Sequence, residues 1–258
     1  MPDPPPRQRH PLDIAGLVSF WDFQNVRRGG FCAEGPGDYL LRWRPSPPKR
    51  DSEGIFGPGV LFKPGLWLEC PRMQCPLLNF SAERSTLTLV TWLKWRKNTR
   101  CQFLAGMWDE TNAARQYGLF FNLSGRYESE RNVHAHVSAD GGPTKGDLCC
   151  LTYATGGQAL NLDQWYTLGM VFDGETARVY VNGILDTNTR TDERWGQLNP
   201  FGYRRALFDG GKNGADFTVG SVDSGGKMNN WFTGTMGGLA VYGRALPEAD
   251  LRALHRLP

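Results

Sequence analysis

The chain has 258 residues, 40% of them hydrophobic and 21% charged, with a formal net charge of +3, an ordinary composition for a soluble globular protein. The basic residues are dispersed, with no run of five or six to suggest a nucleic-acid-binding arm, and no stretch approaches the roughly 18 apolar residues of a membrane span. Thirty-two glycines and 17 prolines point to many turns, which suits an all-β fold.

The chain opens on MPDPPPRQRHPLDIAGL, proline-rich and polar, without the apolar core of a signal peptide. This leaves localisation open: the protein stays inside the cell, or a leader has been removed. Residues 1–14 read as a flexible lead-in and 15–258 as one domain. LVSFWDF, Leu17 to Phe23, begins an alternating strand pattern. A glycine- and proline-rich stretch, 29–64, interrupts it with one short apolar run, YLLRW. Then follow LWLECP, STLTLVTWLKWR, CQFLAGMW, RQYGLFFNL, NVHAHVSA, WYTLGMVFD, ARVYVNGIL, DFTVGSV and FTGTMGGLAVYG. Each is rich in β-branched and aromatic residues and is bounded by Gly, Asn, Asp or Pro, as strands are. Only the end has helical spacing, with Leu246, Leu251, Leu254 and Leu257 on one side and Glu248 and Asp250 near the start. The expected architecture is an all-β, two-sheet antiparallel sandwich with a short C-terminal helix. Of the six cysteines, Cys70 and Cys75 could close a short loop. The spacings make no zinc ribbon, and buried free thiols are the plain reading of most of them.

Four segments resemble the laminin-G-like, concanavalin A-like jelly-roll family: LVSFWDF, LTLVTWLKWR, LDQWYTLGMVFDGETARVYVNGIL and FTGTMGGLAVYGRALPEADLRAL. The third is the most specific, and its hairpins also make sense on their own. Asp173-Gly174 and Asn182-Gly183 supply the positive-φ positions that tight turns need. Trp92, Trp165 and Tyr180 are expected to pack in the core. The resemblance implies a jelly roll, but that superfamily includes carbohydrate-binding modules, lectins, protein-binding domains, glycoside hydrolases and polysaccharide lyases, so fold alone does not give function. Its calcium-binding members use acidic residues at the rim and closing strand. Here the closing strand carries Gly237 and Gly238, leaving Asp22, Asp209, Asp216 and Asp223 as candidate ligands for a structural calcium; no other cofactor is required.

Three segments carry groups that a plain sandwich does not need. In NVHAHVSADGG, alternation puts His134 and His136 on one face and Val133, Ala135 and Val137 on the other. In ARQYGLFFN, Arg115 and Tyr117 share a face. The third, residues 199–217, is a long polar loop with Asn199, Tyr203 and Arg204, and such loops are more often functional than idle. Arg115, Tyr117, His134 and His136 are expected to converge on the concave sheet, with the 199–217 loop as one wall. An arginine there would grip a carboxylate or sulfate, and a tyrosine would stack on a sugar.

The leading expectation is therefore a carbohydrate-binding, lectin-like domain recognising a polysaccharide, an anionic one fitting the arginine. The alternative is a polysaccharide lyase acting on a uronate polymer, with His134 or His136 as base and Arg115 as neutraliser. A protein-interaction domain is the third reading. Glycoside hydrolysis lacks its paired carboxylates, since the adjacent Asp109 and Glu110 of MWDETN point to opposite faces of an extended chain. Neither a G-x-S-x-G nucleophile motif nor a phosphate-binding glycine loop occurs.

Overall fold

The computed structural model describes residues 7–81, 85–123, 129–189 and 198–258. Among these, two nine-stranded antiparallel sheets stack into a sandwich, and a two-stranded ribbon, Val222–Asp223 with Met228–Asn229, stands beside them. The first sheet is centred on Leu87–Trp95, flanked by Trp165–Phe172 and by the closing strand Gly234–Tyr242. Leu17–Trp21 also pairs with the closing strand, and Thr176–Val181 adds the hairpin edge. The second sheet runs Tyr153–Thr155, Ser129–Val137, Tyr117–Leu123, Gln102–Met107, Phe217–Val219, Trp67–Cys70, Leu40–Arg44, Gly30–Cys32 and Val26–Arg27.

The main core lies between the sheets and follows the two-residue period of the strands. Leu87, Leu89, Leu93 and Trp95 from the first sheet meet Leu104, Leu119, Phe121, Val133, Ala135 and Val137 from the second. Trp95 packs edge-on to Phe121 at 4.5 Å, and Trp21 stacks on Phe217 at 5.7 Å. Asp173 shapes its turn as expected, its carboxylate accepting the amides of Glu175 at 2.9 Å and Thr176 at 2.7 Å.

The outer face of the first sheet is sealed. Phe20, Val90, Trp92, Tyr180 and Tyr242 form a second apolar cluster under the helix Glu248–Leu254 and under Phe56. Trp92 lies 5.0 Å from the Phe56 ring and donates its indole N–H to the Leu254 carbonyl at 3.0 Å. Trp92 and Tyr180 are thus buried as anticipated, but in this outer layer rather than between the sheets; Trp165 is half-buried at its edge, with Lys94 over its ring. Gly238 belongs to the same seal, because a Cβ there would sit 2.9 Å from Phe56. Of the expected helical leucines, Leu246, Leu251 and Leu254 are buried and Leu257 is exposed.

The lead-in anticipated over 1–14 is tied down in its described part. The Arg9 amide donates to the Ala253 carbonyl at 2.8 Å, Pro11–Asp13 form a 3-10 turn, and Ile14 is buried. Residues 1–6 lie outside the described residues. None of the six cysteines is joined in a disulfide, Cys70 and Cys75 included. No helix among the described residues is long and apolar enough to cross a membrane.

Candidate functional site

The strand Ser129–Val137 divides its side chains as the alternation requires. Val133, Ala135 and Val137 enter the main core, while His134 and His136 lie on the outer face of the second sheet. That face is not open to water at the histidines: His134 is fully buried and His136 is 6% exposed. His136 stacks on Tyr153 at 4.4 Å and packs against Phe120 at 4.5 Å and Trp108 at 5.4 Å. Neither of its ring nitrogens has a hydrogen-bond partner. Burial, helped by the nearby His134 and Arg115, pushes its pKa well below the ordinary histidine value, so the ring is neutral at physiological pH. His134 sits with its Nδ1 3.2 Å from the Thr155 hydroxyl.

The four residues expected to converge do not share a face. Strands Tyr117–Leu123 and Ser129–Val137 are neighbours, but their register pairs Tyr117 with Val137 and Gly118 with His136. Directly opposed residues share a face, so Tyr117 goes with Val137 into the main core. Its phenol donates to the Leu78 carbonyl at 2.9 Å, and burial raises its pKa well above the tyrosine value. Arg115 precedes the strand, is 5% exposed and donates to the Gly141 carbonyl at 3.3 Å. The expected concave-face constellation of arginine, tyrosine and two histidines is thereby corrected to the two histidines alone.

The 199–217 loop divides in two. Asn199 is buried, its amide donating to the carbonyls of Val179 at 3.0 Å and Asp186 at 2.6 Å. The Tyr203 hydroxyl accepts the Ala139 amide at 2.8 Å, and Arg204 is exposed, 3.8 Å from Glu175. These three stand by the edge of the first sheet, where Phe201–Gly202 pairs with Thr176–Val181. The later part, residues 209–216, folds onto the second sheet and is gripped by the buried Arg72. That guanidinium donates to the Gly211 carbonyl at 2.8 Å and to the Asp209 carboxylate at 2.9 Å, while the Arg72 amide donates to Asp216 at 2.7 Å.

Two cavities open on the outer face of the second sheet, with Trp108 in the wall of both. The larger, about 580 Å³, is polar; Glu69, Asp109, Asn112, Asp216, Thr218 and Asp223 line it with residues 213–215 of the loop and Met228. The smaller, about 260 Å³, is lined by His136, Tyr153, Phe120, Cys150 and Glu110, among others. Asp109 and Glu110, where the strand ends and a turn begins, reach different cavities on either side of Trp108. Gly106 lets its strand approach Tyr117–Leu123 closely, since a Cβ there would lie 2.3 Å from the Tyr117 carbonyl oxygen.

The walls of the polar cavity are held by backbone. Asp109 and Asp223 form a parallel β-bridge, and the Glu110 amide donates to the Asp223 carbonyl at 2.9 Å. Asp109 accepts the backbone and side-chain amides of Asn112 at 2.9 and 2.7 Å, and Asp223 accepts the Thr111 hydroxyl. Glu69 is neutralised by Arg44 at 2.8 Å. Thr218 is 8% exposed, and its hydroxyl has no hydrogen-bond partner.

The aspartates considered for calcium already accept protein donors. Asp22 takes the Gln24 amide, Asp209 takes Asn79 and Arg72, and Asp216 and Asp223 are held as described. Among the described residues no three His, Cys, Asp or Glu side chains gather as a metal site would require. Sequence reasoning passed over Trp108, Asn112, Thr218 and Glu69. The available signal was the cluster MWDETN directly after a strand, where a loop begins and polar side chains are set at the sheet's rim.

Comparison with known proteins agrees with this architecture. No curated protein sequence matches the chain. Domain 4 of AbnA, a GH43 extracellular arabinanase from Geobacillus stearothermophilus solved with arabinotriose, superposes with a TM-score of 0.62 at 14% identity, covering 93% of this chain and 98% of that domain. The CBM40 of the Ruminococcus gnavus IT-sialidase gives 0.55 at 16% identity, covering 77% and 96%. Trypanosoma rangeli sialidase in complex with sialic acid gives 0.55 at 16% identity, covering 93% of this chain and 33% of the enzyme. A family model described as the concanavalin A-like lectin/glucanases superfamily, Laminin_G_3, matches residues 73–252. From the sandwich, its register and that match, the chain belongs to the concanavalin A-like lectin/glucanase superfamily.

Proposed function

We propose that the protein is a carbohydrate-binding domain whose ligand occupies the polar cavity on the outer face of the second sheet. The observation that carries this reading is the lining of that cavity: carboxylates and an amide beside an indole, in about 580 Å³. Sugar hydroxyls both donate and accept, and Asp and Asn offer acceptors and donors to match them. A cavity of this size with a few convergent polar groups is the usual form of a small-ligand site. The arabinotriose-bound domain and the CBM40, whose folds resemble this one, add support from similar sandwiches. A polysaccharide would enter as one or two residues of its chain, the remainder running along the sheet.

The test is titration of the full chain with arabino-, xylo-, gluco- and galacto-oligosaccharides, following tryptophan emission and calorimetric heat. The expected result is saturable binding that Trp108→Phe weakens at least about tenfold. Absence of binding to every glycan, with a protein partner captured instead, overturns it in favour of an interaction domain.

A second reading, a polysaccharide lyase, draws on one observation, the neutral and unpartnered imidazole of His136 at the smaller cavity. Such a ring is unprotonated, as a general base must be, but its lowered pKa makes it a weak base and both nitrogens are buried. Its expected neutraliser, Arg115, lines neither cavity. Rising ultraviolet absorbance from unsaturated uronate ends, lost in His136→Gln, would establish that reading.

A further inference from the structure

The wall that residues 213–216 give to the polar cavity hangs on one short segment, and two cysteines bound that segment. Cys70 ends the strand Trp67–Cys70 and pairs with Phe217. Cys75 follows the 3-10 turn Arg72–Gln74 and precedes a second turn, Pro76–Leu78. The turns bring the two thiols together inside the molecule, where both are buried. Their sulfurs reach the same backbone oxygen, the Pro71 carbonyl, Cys70 Sγ at 4.0 Å and Cys75 Sγ at 3.4 Å. Cys75 Sγ also lies 3.5 Å from the Cys70 carbonyl. The thiols hydrogen-bond one another as well, which draws the Cys70 pKa below the ordinary thiol value and drives that of Cys75 above it. A single buried thiol is ordinarily a small apolar filler; two that meet across a turn are poised for chemistry with each other. Between them sits Arg72. Its amide donates to Asp216, and its guanidinium to the Gly211 carbonyl and to the carbonyl and carboxylate of Asp209. The loop lies so close on that guanidinium that a Cβ at Gly214 would collide with it.

We propose that Cys70 and Cys75 are a redox pair that a small-molecule disulfide oxidises to a protein disulfide, and that this bond fixes the turn through which Arg72 holds the cavity wall. The proposal does not depend on what the cavity binds. The Cys70 thiolate attacks one sulfur of the oxidant, oxidised glutathione for example, and the other half leaves as a thiolate. That thiolate takes the proton of Cys75, whose sulfur then displaces the second half from Cys70. Two protein thiols give up two electrons and two protons, and one glutathione disulfide becomes two glutathione thiols. Because both sulfurs are buried in the closed turn, attack takes place while the turn is open, in the folding chain or in a local opening. The fold contributes proximity: it holds the sulfurs together, where the unfolded chain has to find that arrangement by chance. The same factor that favours the bond in the folded chain favours the folded chain once the bond is made.

The experiment refolds the reduced full chain in buffers of graded reduced-to-oxidised glutathione ratio, alkylates the remaining thiols and digests with trypsin. A parallel set stays in denaturant throughout. Trypsin cuts after Arg72, between the two cysteines, so the bond reports as two peptides joined to each other, distinct from any link through the other cysteines. The expected result is that the joined peptides persist in the refolded chain at a glutathione ratio about tenfold or more reducing than the chain in denaturant tolerates. Hydrogen exchange over 209–216 should slow by about threefold or more on oxidation, with the helix Glu248–Leu254 unchanged. In Cys75→Ala the joined peptides should vanish and exchange over 209–216 should ignore glutathione; should that variant not fold, the comparison of oxidised with reduced native chain decides. Joined peptides that never form, or that form no more readily in the folded chain than in denaturant, overturn the redox pair. Exchange over 209–216 that is the same with and without the bond overturns its tie to the cavity wall.

Discussion

The two sheets present their outer faces differently, although both follow the same alternation. On the first sheet, the helix, Phe56 and residues 9–14 close over Trp92, Tyr180 and Tyr242, and the Trp92 indole finds the Leu254 carbonyl. On the second, a smaller apolar cluster of Phe103, Trp108, Phe120 and Val222 is buried as well, but two cavities remain beside it. The orphaned polar groups of His136 and Thr218 belong to this second face. A face covered by a helix and apolar side chains becomes core, while a face covered by loops keeps space. In a sandwich, the asymmetry of the covering layers tells more about where a ligand fits than the strands do.

The contrast can be broken first where the seal is complete. Trp92→Ala removes the centre of the first outer cluster and one indole hydrogen bond, and should cost about 3–5 kcal/mol in denaturant unfolding. Ligand binding should persist below the new melting transition. Arg72→Met acts on the loop-covered face, leaving the Gly211 carbonyl and the carbonyl and carboxylate of Asp209 with fewer donors, while the backbone bond to Asp216 remains. The loss should be about 2–3 kcal/mol, with hydrogen exchange rising over 209–216 and not in the helix.

A third variant sharpens the comparison through pH. His136 has a native pKa well below its unfolded one because burial disfavours the charged ring. The unfolded chain therefore takes up a proton that the native chain refuses. Stability is fullest above the unfolded histidine value of about 6.5 and falls as pH drops below it, by up to about 1.4 kcal/mol per pH unit. In His136→Phe, this part of the slope should vanish from chemical unfolding measured across that window; an unchanged slope would mean the ring is not held neutral. The smallest effect belongs to Thr218→Val. It removes a hydroxyl that has no partner, so stability should shift by less than about 1 kcal/mol, with no loss expected. Glycan affinity should stay within about twofold, since the hydroxyl oxygen is buried away from the cavity.

Much of this arrangement can be read from the chain and part of it cannot. The hairpin 165–185 is written in local signals, Asp173-Gly174 and Asn182-Gly183 with β-branched residues between, and it forms where those signals fall. The opposition of His136 to Val137 is equally local, since it depends only on strand period. Which neighbour shares the face of His136 is another matter. Register pairs it with Gly118 rather than Tyr117, and a one-residue difference in register reverses every face assignment. Nor does any local pattern say that residues 149–151 and the ribbon 222–229 come over that strand. Their contacts are long-range, so the same histidines could equally have been solvated. Trp108 and Thr218 went unremarked for this reason, each ordinary in its own strand context and informative only beside the other.

The bridge between Asp109 and Asp223 has a consequence for how a ligand would be received. Because two backbones are laddered there, with Glu110, Thr111 and Gly226 adding hydrogen bonds across the seam, the spacing of the acidic side chains exists before anything arrives. Association then demands little ordering of the chain, so the entropic penalty falls mainly on the sugar. Such a wall behaves as a fixed gauge. Changing one side chain alters what it accepts without rebuilding the loop that carries it, which leaves specificity free to diverge while the sandwich stays the same.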